Sequence, residues 1–168
     1  MGIVEILETE RLVLRPFTGD DFDDYAAMLA DPEVGRFLGG ALSAEDAWRN
    51  LAMVIGHRVI RGYSMWALVE KDGGRLVGRA GPWRPHGWPG LEVGWALARS
   101  AWGRGYATEA ARAAVDYCFD VLGAEEVVSL IRPDNVASLR VAERIGHRHL
   151  RDAELMGTPC LVYGQVRA

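Results

Sequence analysis

The sequence is poor in several features that mark whole classes of protein. It has two cysteines, Cys118 and Cys160, and a single lysine, Lys71. Two cysteines build neither a disulfide framework nor a zinc site, and because both lie in apolar runs we expect inert core thiols. No apolar run approaches the roughly 20 residues that span a bilayer. Residues 1–8 lack the basic start of a secretory signal, so we expect a cytoplasmic protein with no membrane partner.

Acidic residues outnumber basic ones, 23 to 19. The net charge of −4 argues against a general nucleic-acid binder, which depends on phosphate contacts. The length of 168 residues, without internal repeats, low-complexity segments or linkers, predicts one domain over residues 1–168. With only two cysteines, we also expect no metal site. Residues 20–33 hold six acidic residues and no basic one. That cluster is either a solvated helix face or a surface that attracts a cationic amine.

The remaining pattern alternates strands and helices, so the predicted fold class is α/β (α+β). Strand-like apolar spacing predicts strands at 11–17, 65–69, 76–80, 91–97, 125–131 and 161–166. Helical spacing and caps predict helices over 20–29, over 43–61, from about 106, and over 135–145. His57, inside the second helix, is expected to be partly exposed.

The most informative passage is Trp102-Gly103-Arg104-Gly105-Tyr106-Ala107-Thr108-Glu109-Ala110, which follows the 91–97 strand. Glycine lets the backbone approach a phosphate closely, and free N–H groups at a helix start attract anions. Strand, glycine turn and helix start therefore predict a site for a phosphorylated cofactor.

Three passages resemble the GNAT superfamily of acyl-CoA-dependent N-acetyltransferases, and more narrowly its RimJ/RimL-type branch of ribosomal-protein alanine acetyltransferases. They are Thr9–Pro16, Glu92–Trp95 continuing through Trp102–Ala110, and Asn135–Ser138 continuing through Glu143–Gly146. They span nearly the whole chain in the expected order. One departure is Gly146-His147, where the family commonly has Gly-Phe; we expect His147 to be exposed at a strand end, with a structural role.

The resemblance implies a GNAT fold, a mixed, mostly antiparallel sheet of six to seven strands flanked by helices. Its fourth and fifth strands, here 91–97 and 125–131, splay apart to receive acetyl-CoA, with a bulge expected at Gly94. The implied cofactor-binding residues are Val93, Gly94, Trp95, Ala96, Leu97, Gly103, Arg104, Gly105, Tyr106, Ala107, Thr108, Asn135 and Ser138. Arg99 either reaches a phosphate or is a solvated strand-end arginine.

Acetyl transfer to a primary amine needs a base and a proton donor for the departing thiolate. Glu92 is the candidate base, acting directly or through water; its alternative is an exposed strand carboxylate. The resemblance places Ser138 near the thiol, as a hydrogen-bond donor to the thiolate. Asn135 either contacts the pantetheine arm or only caps its helix. Trp83, His86 and Glu92 are candidate acceptor-binding residues, although the loop around His86 is equally well a packed hairpin cap.

Two other functions fit parts of the pattern. A catalytically silent acyl-CoA-binding sensor keeps the glycine loop and needs no base. A dinucleotide-binding protein needs a parallel strand–helix–strand unit and an acidic residue about 20 positions after its glycine turn. Glu125 and Glu126 lie at about that distance, but they begin a strand instead of ending one. The acceptor, a protein N-terminus or a small amine, is not specified by the sequence. The protein is expected to be a monomer or a homodimer.

Overall fold

One sheet of eight strands organises the computed structural model, which describes residues 6–168. The strands are β1 (Leu7–Glu8), β2 (Leu12–Arg15), β3 (Trp66–Glu70), β4 (Leu76–Trp83), β5 (Glu92–Leu97), β6 (Glu126–Ile131), β7 (Arg148–Leu155) and β8 (Thr158–Val166). Their spatial order is β1-β2-β3-β4-β5-β6-β8-β7, and only β5 and β6 are parallel. Residues 1–5, which belong to the segment predicted not to be a secretory signal, lie outside the described residues.

Within the described residues, five α-helices accompany the sheet: α1 (Phe22–Ala30), α2 (Pro32–Gly35), α3 (Ala44–Arg61), α4 (Tyr106–Asp120) and α5 (Val136–Arg144). The Ser43 side chain caps α3 by accepting a hydrogen bond from Asp46 N, and Gly62 ends that helix with φ of 82°. Parallel strands require a crossover, which α4 supplies between β5 and β6. Within residues 6–168, no helix combines the length and apolar character that crossing a membrane requires.

The core has two parts, one on each face of the sheet. Successive strand residues point to opposite faces, so Trp66 and Leu68 pack with α4 while Ala67 packs with α1 and α3. Trp66 is fully buried and meets Tyr117 of α4 edge to face, with ring centroids 4.9 Å apart. The sheet is therefore covered on both faces, and its accessible openings lie where strands separate.

The predicted six strands are all present, but the sheet has eight strands where six to seven were expected. The additional strands are the two-residue β1 and the long β7. β7 is an edge strand that pairs only with β8 and is rich in charged, exposed residues. An edge strand of this kind has little apolar alternation, which is why its sequence carried no strand signal.

The expected splay between the fourth and fifth predicted strands is confirmed, between β5 and β6. These strands are paired at one register position, Glu92 with Val128, whereas every residue of β6 pairs with β8. The expected bulge at Gly94 is wrong, because the β4–β5 ladder runs without a register shift. A Cβ on Gly94 would lie 2.9 Å from Met65 Cε, so the flexible end of that side chain would have to shift to admit a larger residue.

Two histidines are more buried than the sequence suggested. His57 is 6% exposed; its Nδ1 lies 2.9 Å from Tyr63 O, and its Nε2 accepts a hydrogen bond from Arg84 N. His147 is 3% exposed, and burial lowers its pKa to about 4. Its Nδ1 meets Gln165 Nε2 at 2.9 Å, while its Nε2 has no partner among the described residues. Both rings are held by tertiary contacts, which the local sequence around each histidine does not predict.

His147 is expected to weaken the fold in acid. A buried neutral histidine with a lowered pKa contributes stability above its unfolded pKa of about 6.5, and this contribution is lost as pH falls towards 4. We predict that His147→Phe gains about 3 kcal/mol in free energy of unfolding relative to the parent between pH 8 and pH 4. Urea unfolding at a series of pH values measures this difference. His86→Gln, at an exposed histidine, is the control, and parallel pH curves for His147→Phe and the parent would contradict the assignment.

Candidate active site

Two connected openings lie beside the diverging ends of β5 and β6. The first, the inner cleft, has a volume of about 500 Å³. Its lining includes Asn50, Met53, Arg79, Trp83, Trp88, Glu92, Val93, Gly94, Ser129 and Cys160. The second, the outer groove, has a volume of about 700 Å³ and runs along the start of α4 and one side of α5. The openings share Phe37, Leu38, Trp95, Asn135 and Ser138, so one elongated ligand can occupy both.

The glycine turn presents a row of free donors to the outer groove. Gly103 and Gly105 adopt positive φ angles of 72° and 79°, and a Cβ at Gly103 would meet only open space. The backbone N–H groups of residues 103–108 donate to no acceptor among residues 6–168; the first bond of α4 runs from Glu109 N to Gly105 O. Six consecutive unpaired donors at the positive end of a 15-residue helix form a strong anion site.

Two ionic networks hold this turn in place. On one side, buried Glu70 accepts hydrogen bonds from Arg104 Nη1 at 2.6 Å and Tyr106 Oη at 3.0 Å. These contacts keep the pKa of Glu70 below its ordinary value, against the effect of burial. On the other side, Arg11 donates to Arg104 O at 2.7 Å and pairs with Glu109 at 2.7 Å. The turn is therefore formed before any ligand arrives.

The predicted cofactor-binding residues fall into three groups. Most of them line the outer groove: Trp95, Ala96, Leu97, Gly103, Gly105, Tyr106, Ala107, Thr108, Asn135 and Ser138. Val93 and Gly94 line the inner cleft. The guanidinium of Arg104 is committed to Glu70, which leaves its backbone N–H for a ligand, and exposed Arg99 lines neither opening.

Asn135, Ser138 and Trp95 form the junction between the two openings. Asn135 Oδ1 caps α5 by accepting from Ser138 N at 3.2 Å, so the predicted N-cap is present. Ser138 Oγ accepts from Trp95 Nε1 at 3.2 Å, across the gap between α5 and β5. Because that bond uses an oxygen lone pair, the hydroxyl proton of Ser138 remains free to donate to a ligand.

Glu92 lies on the wall of the inner cleft, and part of its surface is accessible there. Its carboxylate accepts from Trp88 Nε1 at 2.7 Å and, more weakly, from Leu130 N at 3.4 Å. Burial raises the pKa of Glu92 to about 7, although these hydrogen bonds and the charge of Arg79 act in the opposite direction. A carboxylate with a pKa near neutrality can both take up and release a proton at physiological pH.

The two candidate acceptor residues beyond Glu92 have different surroundings. Trp83 is buried, lines the inner cleft and stacks on His57 with ring centroids 4.2 Å apart. His86 lies in an exposed turn and lines neither opening. The geometry thus brings Trp83 and Glu92 together and leaves His86 outside.

Several site residues carried no signal in the sequence. Ser129 Oγ donates to Val93 O at 2.7 Å and so occupies one backbone acceptor in the gap between β5 and β6. Arg79 and Cys160 line the inner cleft, and burial raises the pKa of the Cys160 thiol. Glu70 reaches the glycine turn from 34 residues away. Within the described chain, no three His, Cys, Asp or Glu side chains are grouped as metal ligands would be.

Known proteins share both this sequence pattern and this fold. A family model described as an acetyltransferase (GNAT) domain matches residues 11–148. The uncharacterized protein YkkB of Bacillus subtilis (strain 168) is 33% identical over 164 residues, which cover 94% of this chain and 93% of the relative. A solved acetyltransferase of Agrobacterium tumefaciens str. C58 superposes with a TM-score of 0.90 at 32% identity, covering 98% of this chain and 96% of that one.

A more distant structure shares the fold alone. The aminoglycoside acetyltransferase AAC(6')-Ib, solved in complex with coenzyme A, superposes with a TM-score of 0.76 at 21% identity, covering 93% of this chain and 95% of that one.

The anchoring role of Glu70 gives a test of the anion site. We predict that Glu70→Gln weakens pyrophosphate binding about tenfold, because Arg104 and Tyr106 lose the charged acceptor that fixes the turn. Isothermal titration of the protein with pyrophosphate measures the change. Glu10→Gln, at an exposed glutamate in the neighbouring β1–β2 turn, is the matched control. Unchanged binding in Glu70→Gln would show that the turn holds its shape without this anchor.

Proposed function

The chain belongs to the acetyltransferase (GNAT) family, and on that premise we propose that it transfers an acetyl group from acetyl-CoA to a primary amine, which attacks the thioester directly in a ternary complex. The observation that carries this proposal is the junction of the two openings. Unpaired backbone donors line the outer groove, and Glu92, with a pKa of about 7, lies in the inner cleft. Ser138 and Trp95 belong to both.

The residues along the outer groove suit acetyl-CoA. The N–H groups of residues 103–108 would hold its pyrophosphate, because they are free and are fixed by Glu70 and Arg11. The unpaired edge of β5 beyond Glu92 would take the pantetheine arm like an added strand. When bound, acetyl-CoA supplies the acetyl group as an activated thioester.

Glu92 is the proposed base. An alkyl ammonium group has a pKa of about 8 to 10 and must lose a proton before it can attack. A carboxylate with its pKa near 7 accepts that proton, directly or through one water, more readily than an ordinary exposed glutamate. The hydrogen bond from Trp88 Nε1 holds the carboxylate in the inner cleft.

Ser138 is the proposed donor to the departing thiolate. Its oxygen is held by Trp95 Nε1 and its backbone N–H by Asn135, so the hydroxyl group has a fixed position at the junction. A serine hydroxyl is a poor acid, and its part is to donate a hydrogen bond to the sulfur. Delivery of the proton itself is assigned to water.

Finer assignments remain predictions of the sequence. They are the RimJ/RimL-type branch, an acceptor that is a protein N-terminus or a small amine, cytoplasmic residence, and a monomer or homodimer.

Removing the proposed base gives the main test. We predict that Glu92→Gln lowers kcat about 10²- to 10⁴-fold and abolishes the rise of kcat/KM with pH through an apparent pKa near 7. In the parent, kcat/KM is expected to rise with pH because the base acts only when it is deprotonated. CoA release from acetyl-CoA with a panel of amines, followed from pH 5.5 to 9, measures both effects.

Glu125→Gln, at an exposed glutamate, is the matched control and should leave the profile unchanged. Equal rates and equal pH profiles in Glu92→Gln and the parent would remove Glu92 from the mechanism. Tight acetyl-CoA binding by the parent without CoA release on any amine would instead favour the silent sensor.

Ser138 gives a second, independent test. We predict that Ser138→Ala lowers kcat about tenfold, the loss expected for one hydrogen bond to a developing charge. The KM for the amine should stay within about twofold, because the proposed contact is to the thiolate. Ser100→Ala, at an exposed serine, is the control. Steady-state kinetics of CoA release measures kcat and the KM for the amine separately. An unchanged kcat in Ser138→Ala would exclude the proposed contact.

A further inference from the structure

Arg79 is a cation of the inner cleft that forms no ion pair with any residue the structure describes. Its Nη1 donates to Tyr25 Oη at 2.5 Å and to Asn50 Oδ1 at 2.8 Å, which are both neutral oxygens. Its Nε and Nη2 donate to no residue among 6–168, and the guanidinium forms no ion pair there. Tyr25 and Asn50 thus fix one edge of the guanidinium and leave the rest of its donor fork to the cleft.

Arg79 shares this cleft with the proposed base. On β4, Arg79, Gly81 and Trp83 point to one face of the sheet, and Gly94 and Glu92 lie opposite Gly81 and Trp83 on β5. Arg79 and Glu92 are therefore on the same face, and the charge of Arg79 is felt at Glu92, whose pKa it lowers. A ligand whose amine lies near Glu92 therefore has the free side of Arg79 within the same cavity.

The charges around the inner cleft do not suit a polycation. Its lining contains two cations, Arg79 and Arg132, and one carboxylate, Glu92. The acidic residues of α1 and the turn before it, which raised the possibility of a cationic acceptor, do not line it. The most buried of them, Asp21, is already paired with Arg15 at 2.7 Å. The acidic residues of α1 and of the turn before it thus lie away from the inner cleft, whereas Glu33, beyond α1, lines the outer groove.

The mouth of the cleft is apolar and open. Leu38, Met53 and Met156 line it and expose 41%, 49% and 89% of their surfaces. Met156 has a positive φ of 51° in the turn between β7 and β8, a conformation that is unfavourable for a residue with a side chain. Large exposed apolar side chains around one opening favour a ligand with an apolar body.

We propose that the acceptor is a primary amine that carries an oxyanion, such as a carboxylate, on an apolar body, and that Arg79 binds this anion. The inference rests on the proposed acetyl transfer and deepens it by naming the acceptor class. The apolar body lies against Leu38, Met53 and Met156, and the amine is directed towards Glu92. Arg79 is a specificity-determining residue, since it touches the acceptor and takes no part in the transfer of the acetyl group.

Matched acceptors test the role of Arg79. Each pair consists of an amine with a carboxylate and its neutral carboxamide: leucine with leucinamide, phenylalanine with phenylalaninamide, and γ-aminobutyrate with γ-aminobutyramide. The measured quantity is kcat/KM for CoA release from acetyl-CoA. Because the two amines of a pair differ in pKa, the readout is how the ratio within each pair changes between the parent and a variant.

We expect the parent to favour the carboxylate member of at least one pair. Arg79→Gln should lower kcat/KM about 10- to 100-fold for that member and less than about twofold for its carboxamide, as expected for the loss of charge-assisted hydrogen bonds. Arg79→Lys, which keeps the charge, should retain part of the preference. Arg84→Gln, which removes a nearby exposed cation outside the cleft lining, should leave the ratio unchanged.

The contrary results are distinct from a failure of the proposed function. Equal losses for both members of every pair in Arg79→Gln would mean that Arg79 only supports the fold, and the inference would be wrong. Acetylation by the parent of neutral or polycationic amines alone would also overturn it, while acetyl transfer itself stood. Acetyl-CoA binding without CoA release on any amine would overturn the proposed function. A lowered folded fraction in a variant affects both members of a pair equally and leaves the ratio intact.

Discussion

The separation of β5 from β6 is the constraint on which the site depends. The two strands are paired only at Glu92 and Val128, after which the sheet opens. An opened sheet leaves backbone groups without partners, which is costly unless side chains, water or a ligand satisfy them. Ser129 satisfies one such group, the carbonyl of Val93. The rest of the opening becomes the inner cleft and the outer groove, so the site is built from a gap in the secondary structure.

Two glutamates of the sheet have pKa values that are shifted in opposite directions. Glu70 is surrounded by Arg104, Arg75 and Tyr106, which hold it in its charged form, so it serves as a fixed anchor for the glycine turn. Burial raises the pKa of Glu92 to about 7, although hydrogen bonds from neutral donors and the charge of Arg79 partly offset this effect. Glu70 is thus held charged by its hydrogen bonds and ion pairs, whereas Glu92 is able to exchange a proton near neutral pH.

Local patterns predicted the order of six strands and four helices and the glycine turn, whereas the splay was implied by the resemblance to a known family. The turn combines glycines at positions that need positive φ with the start of a helix, and both features are readable in a short segment. The strands that were missed, β1 and β7, are short or charged at the edges of the sheet. Burial of His57 and His147 was also missed, because the contacts around each ring come from other parts of the chain.

The sequence alone determined the glycine turn and predicted that it binds a phosphorylated cofactor, because a strand, a glycine turn and a helix start are consecutive and their backbone geometry follows from local residue types. Tertiary structure decided the chemistry of the inner cleft. The pKa of Glu92 depends on burial and on Trp88, Leu130 and Arg79, and the orientation of Arg79 depends on the neutral oxygens of Tyr25 and Asn50 that hold one edge of its guanidinium. Such properties come from contacts between distant segments, and no local pattern of residues encodes them.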